Sequence, residues 1–323
     1  MLFEKQILNM YKGMMHTRCD DEGKAFYFSH DDFDGLRCEE YSFKAAEGHT
    51  LQGFLYSYEN PTGGRIVVFD HGFGGGHRSY MKEIQKLCEH GFLVFAYDHT
   101  GCMRSEGDTP NGLAQSLCDL NDCISYIKSE SRFDGLKISV MGHSWGGFST
   151  LNICALHPDI THIVAMAGFV SVEQLVNSYF GGIMKGYRKV IMKLEQESNP
   201  HFSKFDAVTT LKDSDVKALL IYSDNDGMCK KVHYDILKSA LADKPNVSFM
   251  LEHNKGHNPN YTEDASKYLL EYVKEKSKLD SDKKLVTPEQ KTDFLSRFDW
   301  NRMTAQDERV WQKIFEHLEK TSI

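Results

Sequence analysis

Long apolar runs are absent from this sequence. No stretch of about 18 consecutive apolar residues occurs in the 323-residue chain, and the N-terminal stretch MLFEKQILNMYKGMMHTRCDDEGKAF has a polar or charged residue every few positions. A membrane span and a secretory signal are therefore both excluded as interpretations. We expect a cytoplasmic protein without stable membrane insertion.

Paired cysteines and basic clusters are missing as well. The eight cysteines include no C-x-x-C pair, which argues against a zinc site and a disulfide framework and predicts reduced thiols. No run of Lys and Arg interleaved with aromatic residues occurs, and the net charge is −8. We therefore expect neither a metal nor a nucleic-acid partner.

What the sequence does contain, from about residue 38 to 278, is an alternation of short apolar runs with longer amphipathic segments. This pattern is typical of strands joined by helices in a mostly parallel sheet. The first two runs alternate polar and apolar residues, as in a half-exposed edge, and the later ones are nearly continuous. The predicted strands are Glu39–Lys44, Leu51–Ser57, Arg65–Asp70, Phe92–Asp98, Lys137–Met141, His162–Ala167, Ala218–Ser223 and Val247–Glu252.

Three segments lie outside this alternation. Residues 1–37 form an N-terminal extension, and 279–323 form a C-terminal helical extension that we expect to pack onto the core. Between the sixth and seventh strands lie about 50 residues, far more than the usual loop of about 2–6 residues. Their apolar residues recur at spacings of three and four, which predicts two or so amphipathic helices at about 169–212.

The motif that carries chemistry is Gly142-His143-Ser144-Trp145-Gly146, a G-x-S-x-G pattern directly after a strand and directly before a helix. This context places the serine on a sharp, strained turn, with the glycines leaving room for it. Ser144 is therefore the candidate nucleophile, and the Trp145 N–H faces the oxygen that becomes negative. A glycine-rich turn without catalytic function is the alternative interpretation of so short a motif.

A second glycine-rich segment, Asp70-His71-Gly72-Phe73-Gly74-Gly75-Gly76, follows the third strand. In this position it can supply the other oxyanion donor, which we assign to the Phe73 N–H. A phosphate-binding loop is the rival interpretation, but the lysine of G-x-x-x-x-G-K-[ST] and the spacing of G-x-G-x-x-G are both missing.

A serine nucleophile needs a histidine base, and that histidine needs an acid to orient it. His257 lies in a loop after the last predicted strand, and His253, closer to the strand end, is its competitor. For the acid, Asp224 and Asp226 both follow the strand ALLIYS. We favour Asp226 because it lies deeper in the turn, while Asp224 suits an Asx turn.

With these residues the chain resembles the α/β-hydrolase superfamily, and within it the esterase, lipase and serine-aminopeptidase-like group, over roughly residues 40–278. The resemblance implies an α/β-hydrolase fold, a mostly parallel sheet flanked by helices with a small helical cap inserted after the sixth core strand, and no cofactor. HGFGGG resembles the family's oxyanion loop, and YDHTGCMRSEG is similar to its Y-D-x-R-G-x-G-x-S-x-G stretch.

The chain departs from the family pattern at three positions. Thr100 and Met103 stand where the family usually has Arg and Gly, in a loop that we expect to be structural. Ser223 replaces the glycine of the family's G-x-x-D, and the count from it still ends at Asp226.

We expect hydrolysis of a small-molecule ester, with a small or medium apolar group, through an acyl-enzyme intermediate. Aromatic and methionine side chains of the cap suit an apolar acyl or aryl group, although packing onto the core explains them equally well. The candidate substrate contacts are Phe169, Tyr179, Phe180, Met184 and Tyr187. Two alternatives stay open, a peptidase with Glu173, Glu195 or Glu197 binding a free amine, and a non-catalytic binding protein on the same scaffold.

Overall fold

The computed structural model describes residues 3–20, 28–61 and 64–319. Its centre is an eight-stranded sheet in the order β1-β2-β4-β3-β5-β6-β7-β8. The strands are β1 Arg37–Lys44, β2 Thr50–Ser57, β3 Arg65–Asp70, β4 Leu93–Tyr97, β5 Lys137–His143, β6 His162–Met166, β7 Lys217–Ser223 and β8 Val247–Glu252. All eight predicted strands are confirmed, with bounds that differ by at most two residues.

The sheet is antiparallel only at one end. β2 pairs antiparallel with both β1 and β4, and the remaining neighbours are parallel. The interpretation of β2 as a half-exposed edge was therefore wrong, and β1 alone is the edge there. Apolar side chains on both faces of β2 are buried, because Leu51 and Leu55 belong to the core on one face of the sheet and Phe54 and Tyr56 to the core on the other.

Helices cover both faces of the sheet, as expected for an α/β fold. In chain order they are α1 Glu4–Met15, α2 Met81–Glu89, α3 Gln115–Ser129, α4 Trp145–Asn152, α5 Val172–Tyr179, α6 Arg188–Ser198, α7 Ala207–Lys212, α8 Val232–Leu241, α9 Glu263–Ser281, α10 Pro288–Ser296, α11 Trp300–Met303 and α12 Glu308–Leu318. One face packs against α2 and α12, and the other against α3, α4 and α8. No helix within the described ranges has the length and apolar character that crossing a membrane requires.

The C-terminal segment leaves the sheet and returns to it. Helices α9 to α11 enclose a small core of their own, formed by Tyr272, Leu285, Phe294, Leu295 and Met303. Helix α12 then packs back onto the sheet, where its apolar side chains join the core beside α2. The predicted packing of this tail onto the core is confirmed, and position 278 falls inside α9.

The segment between β6 and β7 forms the helical insertion. It contains α5, α6 and the short α7, together with 3₁₀ helices at Gly182–Tyr187 and Phe202–Lys204. Ser171 begins α5, because its side chain accepts the Gln174 N–H. The N-terminal helix α1 packs against α6, and the Tyr11 hydroxyl donates to Glu195 at 2.5 Å.

The parallel strands place the functional candidates together. β3, β5, β7 and β8 all point the same way, so the loops after their last residues meet at the carboxyl edge of the sheet. These loops contain the glycine-rich segment, Ser144, the two candidate aspartates and the two candidate histidines.

Candidate active site

Ser144 stands at the turn between β5 and α4 with a strained backbone. Its φ of 58° and ψ of −110° belong to a region that non-glycine residues rarely adopt. The surroundings hold it there, because the Ser144 N–H donates to the Met166 carbonyl at 2.9 Å and the Ser144 carbonyl accepts the Phe148 N–H at 3.1 Å. The sharp turn that the G-x-S-x-G motif predicts is present.

Two glycines of the motif permit this turn. A Cβ on Gly142 would lie 2.3 Å from the Gly146 carbonyl oxygen, and a Cβ on Gly146 would lie 2.1 Å from the Asp70 carbonyl oxygen. The first oxygen belongs to helix α4 and the second to the end of β3. A side chain at Gly142 would therefore push α4 away from β5, and one at Gly146 would push α4 away from β3.

The structure brings Ser144, His257 and Asp226 into one chain of hydrogen bonds. His257 Nε2 lies 2.8 Å from Ser144 Oγ, and His257 Nδ1 lies 2.8 Å from Asp226 Oδ2. The second carboxylate oxygen of Asp226 accepts the N–H groups of Met228 and Cys229 at 2.7 and 3.0 Å. These bonds orient the buried carboxylate toward the imidazole.

The competing residues pair with each other instead. His253 Nδ1 lies 2.6 Å from Asp224 Oδ2, and the His253 side chain is 76% exposed. Asp224 also accepts the Asn254 N–H, and its hydrogen bond to His253 lowers its pKa. The pair lies at the surface, so the structure does not bring Asp224 or His253 to Ser144.

The glycine-rich loop passes close beside the nucleophile. A Cβ on Gly72 would lie 3.4 Å from the Cβ of Ser144. The rings of Phe73 and Trp145 meet edge to face with centroids 5.1 Å apart, so the two residues with the proposed oxyanion donors are neighbours. Trp145 is also the first residue of α4, where the N–H has no acceptor within its own helix.

Tyr80 and His143 connect these loops, and the sequence reasoning missed both. The Gly72 N–H donates to Tyr80 Oη at 3.0 Å, the Tyr80 hydroxyl lies 2.8 Å from His143 Nδ1, and His143 Nε2 lies 2.7 Å from the His257 carbonyl oxygen. The carbonyl can only accept, so Nε2 carries a proton and Nδ1 accepts the Tyr80 proton. Burial, reinforced by nearby His257, lowers the pKa of His143 to about 3, which keeps this neutral form.

The histidine loop is also held from the end of β7. Ser223 Oγ accepts the Lys255 N–H at 3.1 Å, and Asn225 Oδ1 accepts the Gly256 N–H at 2.8 Å. Ser223 and Asn225 bond each other at 2.8 Å. Ser223, which replaces the family's glycine, was the sequence signal for this contact. Its hydroxyl binds Lys255, two positions before His257 in the sequence.

The departures at Thr100 and Met103 have a structural counterpart in the N-terminal segment. Met103 has a φ of 44°, a conformation that suits the family's glycine better. Arg18 donates to the carbonyls of Met103, Ser105 and Gly107 at 2.6 to 3.0 Å. A guanidinium from outside the loop therefore binds the loop in which the family's arginine is replaced by Thr100.

The five candidate substrate contacts have different environments. Phe169 is buried and stacks on Phe148 with centroids 4.6 Å apart, which makes it a core residue. Tyr179 is half exposed, and its hydroxyl donates to the Met228 carbonyl at 2.9 Å. Phe180, Met184 and Tyr187 are partly buried in the cap.

The acidic candidates for binding an amine are not equivalent. Glu195 is buried, where its carboxylate accepts the Tyr11 hydroxyl and the Leu113 N–H, the latter at 2.7 Å. Burial raises the pKa of Glu195. Glu173 and Glu197 are exposed, and Glu197 lies 3.7 Å from Lys193. Glu195 thus fastens α6 to α1, and its oxygens already have partners.

All eight cysteines are free thiols, and seven of them are buried. Within the described ranges, no group of three or more His, Cys, Asp or Glu side chains is arranged to hold a metal ion. Cys229 is buried close to Ser144 and Asp226, and burial raises the pKa of its thiol.

Comparison with known protein families identifies the family of this chain. The family described as serine aminopeptidase, S33, matches residues 63–242, more than half of the sequence. The chain belongs to this family. The matched range contains Ser144, Asp226 and the glycine-rich loop, while His257 lies beyond it.

Parts of this chain are also similar to curated relatives in sequence and to solved structures in fold. Cutinase 1 of Thermobifida cellulosilytica is 31% identical over 125 residues, which are 38% of this chain and 46% of the cutinase. The chain thus spans less than half the length of this cutinase. An esterase from Pyrococcus furiosus is similar in structure with a TM-score of 0.57 and 16% identity, covering 84% of this chain and 94% of the esterase.

A peptidase shares the architecture as well. The Pyrococcus horikoshii acylaminoacyl peptidase matches with a TM-score of 0.55 and 18% identity, over 76% of this chain and 42% of the peptidase. At such identity the likeness concerns the fold. The predicted α/β-hydrolase fold is confirmed.

Proposed function

We propose that this S33 family member is a serine hydrolase that cleaves carboxylic esters of small or medium apolar substrates through an acyl-enzyme intermediate. One observation carries the proposal, the continuous contact from Ser144 Oγ through His257 to Asp226 with 2.8 Å at each step. A nucleophile, a base and an orienting carboxylate in this geometry are what activated-serine chemistry requires.

In the proposed mechanism, His257 Nε2 accepts the proton of Ser144 as Oγ attacks the acyl carbonyl carbon. The N–H groups of Phe73 and Trp145 donate to the resulting oxyanion, and His257 returns the proton to the leaving alcohol. Water, deprotonated by His257, then attacks the acyl-enzyme and releases the acid. Asp226 holds the imidazole in the tautomer with the proton on Nδ1 throughout.

Ester cleavage is favoured over removal of N-terminal residues by the charges on the cap. A free amine needs an accessible carboxylate. Glu195 is buried with its oxygens engaged, and Glu197 lies 3.7 Å from Lys193, so that a peptidase would have to use Glu173. The stretch from residue 174 to 194 contains Lys185, Arg188, Lys189 and Lys193 but no acidic residue. The partial match to cutinases supports the same reaction type. The peptidase, which the family description names, is the second candidate.

The decisive experiment compares p-nitrophenyl esters of increasing acyl length with aminoacyl p-nitroanilides on the full chain, beside labelling by a fluorophosphonate. We expect ester turnover with a preferred chain length, labelling at Ser144, and little anilide cleavage. Ser144→Ala should lower kcat by several orders of magnitude without changing the thermal unfolding temperature.

The other outcomes are equally clear. Anilide turnover that exceeds ester turnover would establish the peptidase. A folded protein that neither hydrolyses esters nor reacts with the fluorophosphonate would establish the non-catalytic binding protein. Retention of a tenth of the ester activity in Ser144→Ala would remove Ser144 from the mechanism.

A further inference from the structure

Exposed large apolar side chains form three groups on the described surface. Large apolar residues with at least two fifths of their area exposed occur on α1, on the cap and acid turn, and on the C-terminal helices. The second group includes Met228, whose N–H donates to Asp226. It consists of Tyr179, Ile183, Met228 and Val232.

Ile183 is the extreme member of this group. It is 98% exposed, at the start of the 3₁₀ helix Gly182–Tyr187 and directly after Gly181 and Gly182. A β-branched apolar side chain without packing neighbours gains nothing for the fold of the cap. Tyr179 lies four positions earlier and is 50% exposed.

The same surface reaches the acid turn. The Tyr179 hydroxyl donates to the carbonyl of Met228, which is itself 54% exposed, and the Met228 N–H donates to Asp226. Lys230 Nζ lies 5.0 Å from the centre of the Tyr179 ring. An apolar group that contacts Tyr179 and Met228 would therefore touch a residue that is hydrogen-bonded to Asp226, the carboxylate that contacts His257.

The charge of this surface is opposite to that of the whole chain. Residues 174–194 contain four basic and no acidic residues, in a chain with a net charge of −8. Lys185 and Lys189 are exposed and follow Ile183 within six positions. Arg188 is engaged within the cap, because it donates to the carbonyls of Asn177 and Phe180. Two exposed ammonium groups thus follow the exposed isoleucine closely in the sequence.

We propose that this cap tip, defined as Tyr179, Ile183, Lys185, Lys189 and Met228, docks on an anionic lipid surface. Exposed apolar side chains enter the headgroup region while neighbouring lysines pair with anionic headgroups, which is how peripheral proteins bind membranes. A second copy of the chain fits less well, since these few side chains bury far less than the roughly 1,000 Å² of a stable protein interface. That the docked surface also delivers a lipid ester to Ser144 rests on the ester hydrolysis proposed above.

The test measures co-sedimentation of the full chain with vesicles of phosphatidylcholine alone and with about 30 mol% phosphatidylglycerol added. Ser144→Ala is used for binding, so that lipid is not consumed. We expect binding to the anionic vesicles that weakens with added salt, and little binding to phosphatidylcholine alone. Ile183→Ser and the double variant Lys185→Glu/Lys189→Glu should each lower the partition coefficient about tenfold.

Matched controls separate this site from general surface effects. Val286 is 65% exposed elsewhere on the chain, and Lys274 and Lys278 are exposed on α9 with the same spacing as Lys185 and Lys189. Val286→Ser and Lys274→Glu/Lys278→Glu should bind vesicles like the parent chain. All of these changes, made with Ser144 intact, should leave hydrolysis of a soluble short-chain ester within about twofold.

Each remaining outcome overturns the proposal. Equal binding to both kinds of vesicle would show that anionic headgroups are not recognised. Cap-tip variants that bind vesicles like the control variants would show that another surface contacts the lipid. Dissociation of an oligomer by Ile183→Ser, detected by light scattering, would identify a second copy as the occupant. Soluble-ester turnover reports on the chemistry separately, so that failure of docking and failure of the proposed function are distinguishable.

Discussion

At the scale of single residues, the candidate site depends on side chains that each satisfy several partners. Asp226 is bonded to His257 and to two backbone N–H groups, and Tyr80 lies between Gly72 and His143. Removing one such group leaves buried partners without a hydrogen bond, which costs more than the bond itself contributes. Two predictions follow from these contacts.

Asp226→Asn should lower kcat by about 10³- to 10⁴-fold, because the amide favours the wrong tautomer of His257. Asp224→Asn is the matched control, since Asp224 bonds an exposed histidine rather than His257. Steady-state kinetics on a p-nitrophenyl ester measures both. A larger loss at Asp224 would reverse the assignment of the acid.

Tyr80→Phe should lower kcat about 10- to 100-fold with KM nearly unchanged, since Gly72 and His143 lose the hydroxyl that fixes the oxyanion loop and the histidine loop relative to Ser144. Tyr80 is thus a positioning residue. Tyr58→Phe removes a hydroxyl that lies 3.4 Å from Gln85 and should have little effect on kcat. Equal kcat values for the two variants would assign Tyr80 a merely structural part.

At the scale of elements, the segments around the core hold the site from outside. Helix α1 contacts the cap through Tyr11 and Glu195, and the residues after it reach the loop beyond β4 through Arg18. The cap itself combines a packed inner surface with half-buried aromatic residues. Two further predictions concern the cap and the N-terminal segment.

Phe180→Ala and Tyr187→Ala should shift the preferred acyl chain length of ester substrates, because both side chains are only partly buried and can face a bound acyl group. Labelling by a small fluorophosphonate should change little, since Ser144 and the oxyanion loop lie outside the cap. A parallel loss of labelling, ester preference and melting temperature would instead show that these rings serve cap packing.

Arg18→Ala should lower the free energy of unfolding by about 2 kcal/mol, because three carbonyls lose charged hydrogen bonds. Arg37→Ala breaks an exposed pair with Glu59 and should cost less than about 0.5 kcal/mol. Urea unfolding of the full chain measures both. Similar values for the two variants would mean that the loop does not depend on Arg18.

At the scale of the whole molecule, a buried charge cluster beneath the glycine-rich loop relates stability to pH. His99 is fully buried, with Nε2 2.7 Å from Asp70 Oδ1 and Nδ1 3.1 Å from Asp119 Oδ2. Burial alone lowers the pKa of His99, but the two carboxylates outweigh it and raise the pKa to about 9. The folded chain thus carries an imidazolium where the unfolded chain, above pH 6.5, carries a neutral ring.

This difference predicts stability that is lost at alkaline pH. Because the pKa of His99 is higher in the folded chain, its stabilisation is complete below pH 6.5 and disappears as the pH rises through about 9. The melting temperature, measured by calorimetry from pH 5 to 10, should fall between pH 6.5 and about 9. His99→Gln should be less stable at pH 6.5 and show a shallower alkaline decline.

A melting temperature that stays level between pH 6.5 and 9 would contradict the prediction. If His99→Gln does not fold, NMR titration of the ¹³C-labelled histidine rings in the parent chain gives the pKa of His99 directly. A value below the ordinary 6.5 would show that the neutral ring prevails.

The sequence alone determined the features that local patterns encode. Apolar runs located the eight strands, and the G-x-S-x-G motif predicted the strained turn at Ser144, because both depend on residues that are neighbours in the chain. Side-chain alternation misled at β2, since it does not reveal how many neighbours a strand has. Spacing favoured Asp226 over Asp224 as the candidate acid, but it did not reveal that Asp224 pairs with His253 in the folded chain.

Tertiary structure decided what distant residues do for one another. Tyr80 lies 63 positions from His143, Arg18 lies 85 positions from Met103, and Tyr11 lies 184 positions from Glu195. No periodicity relates such pairs, because folding alone brings them within hydrogen-bond reach. Glu195 illustrates this difference. The sequence suggested it as an amine-binding group, but in the structure it is buried and binds the Tyr11 hydroxyl, which connects the cap to the N-terminal helix.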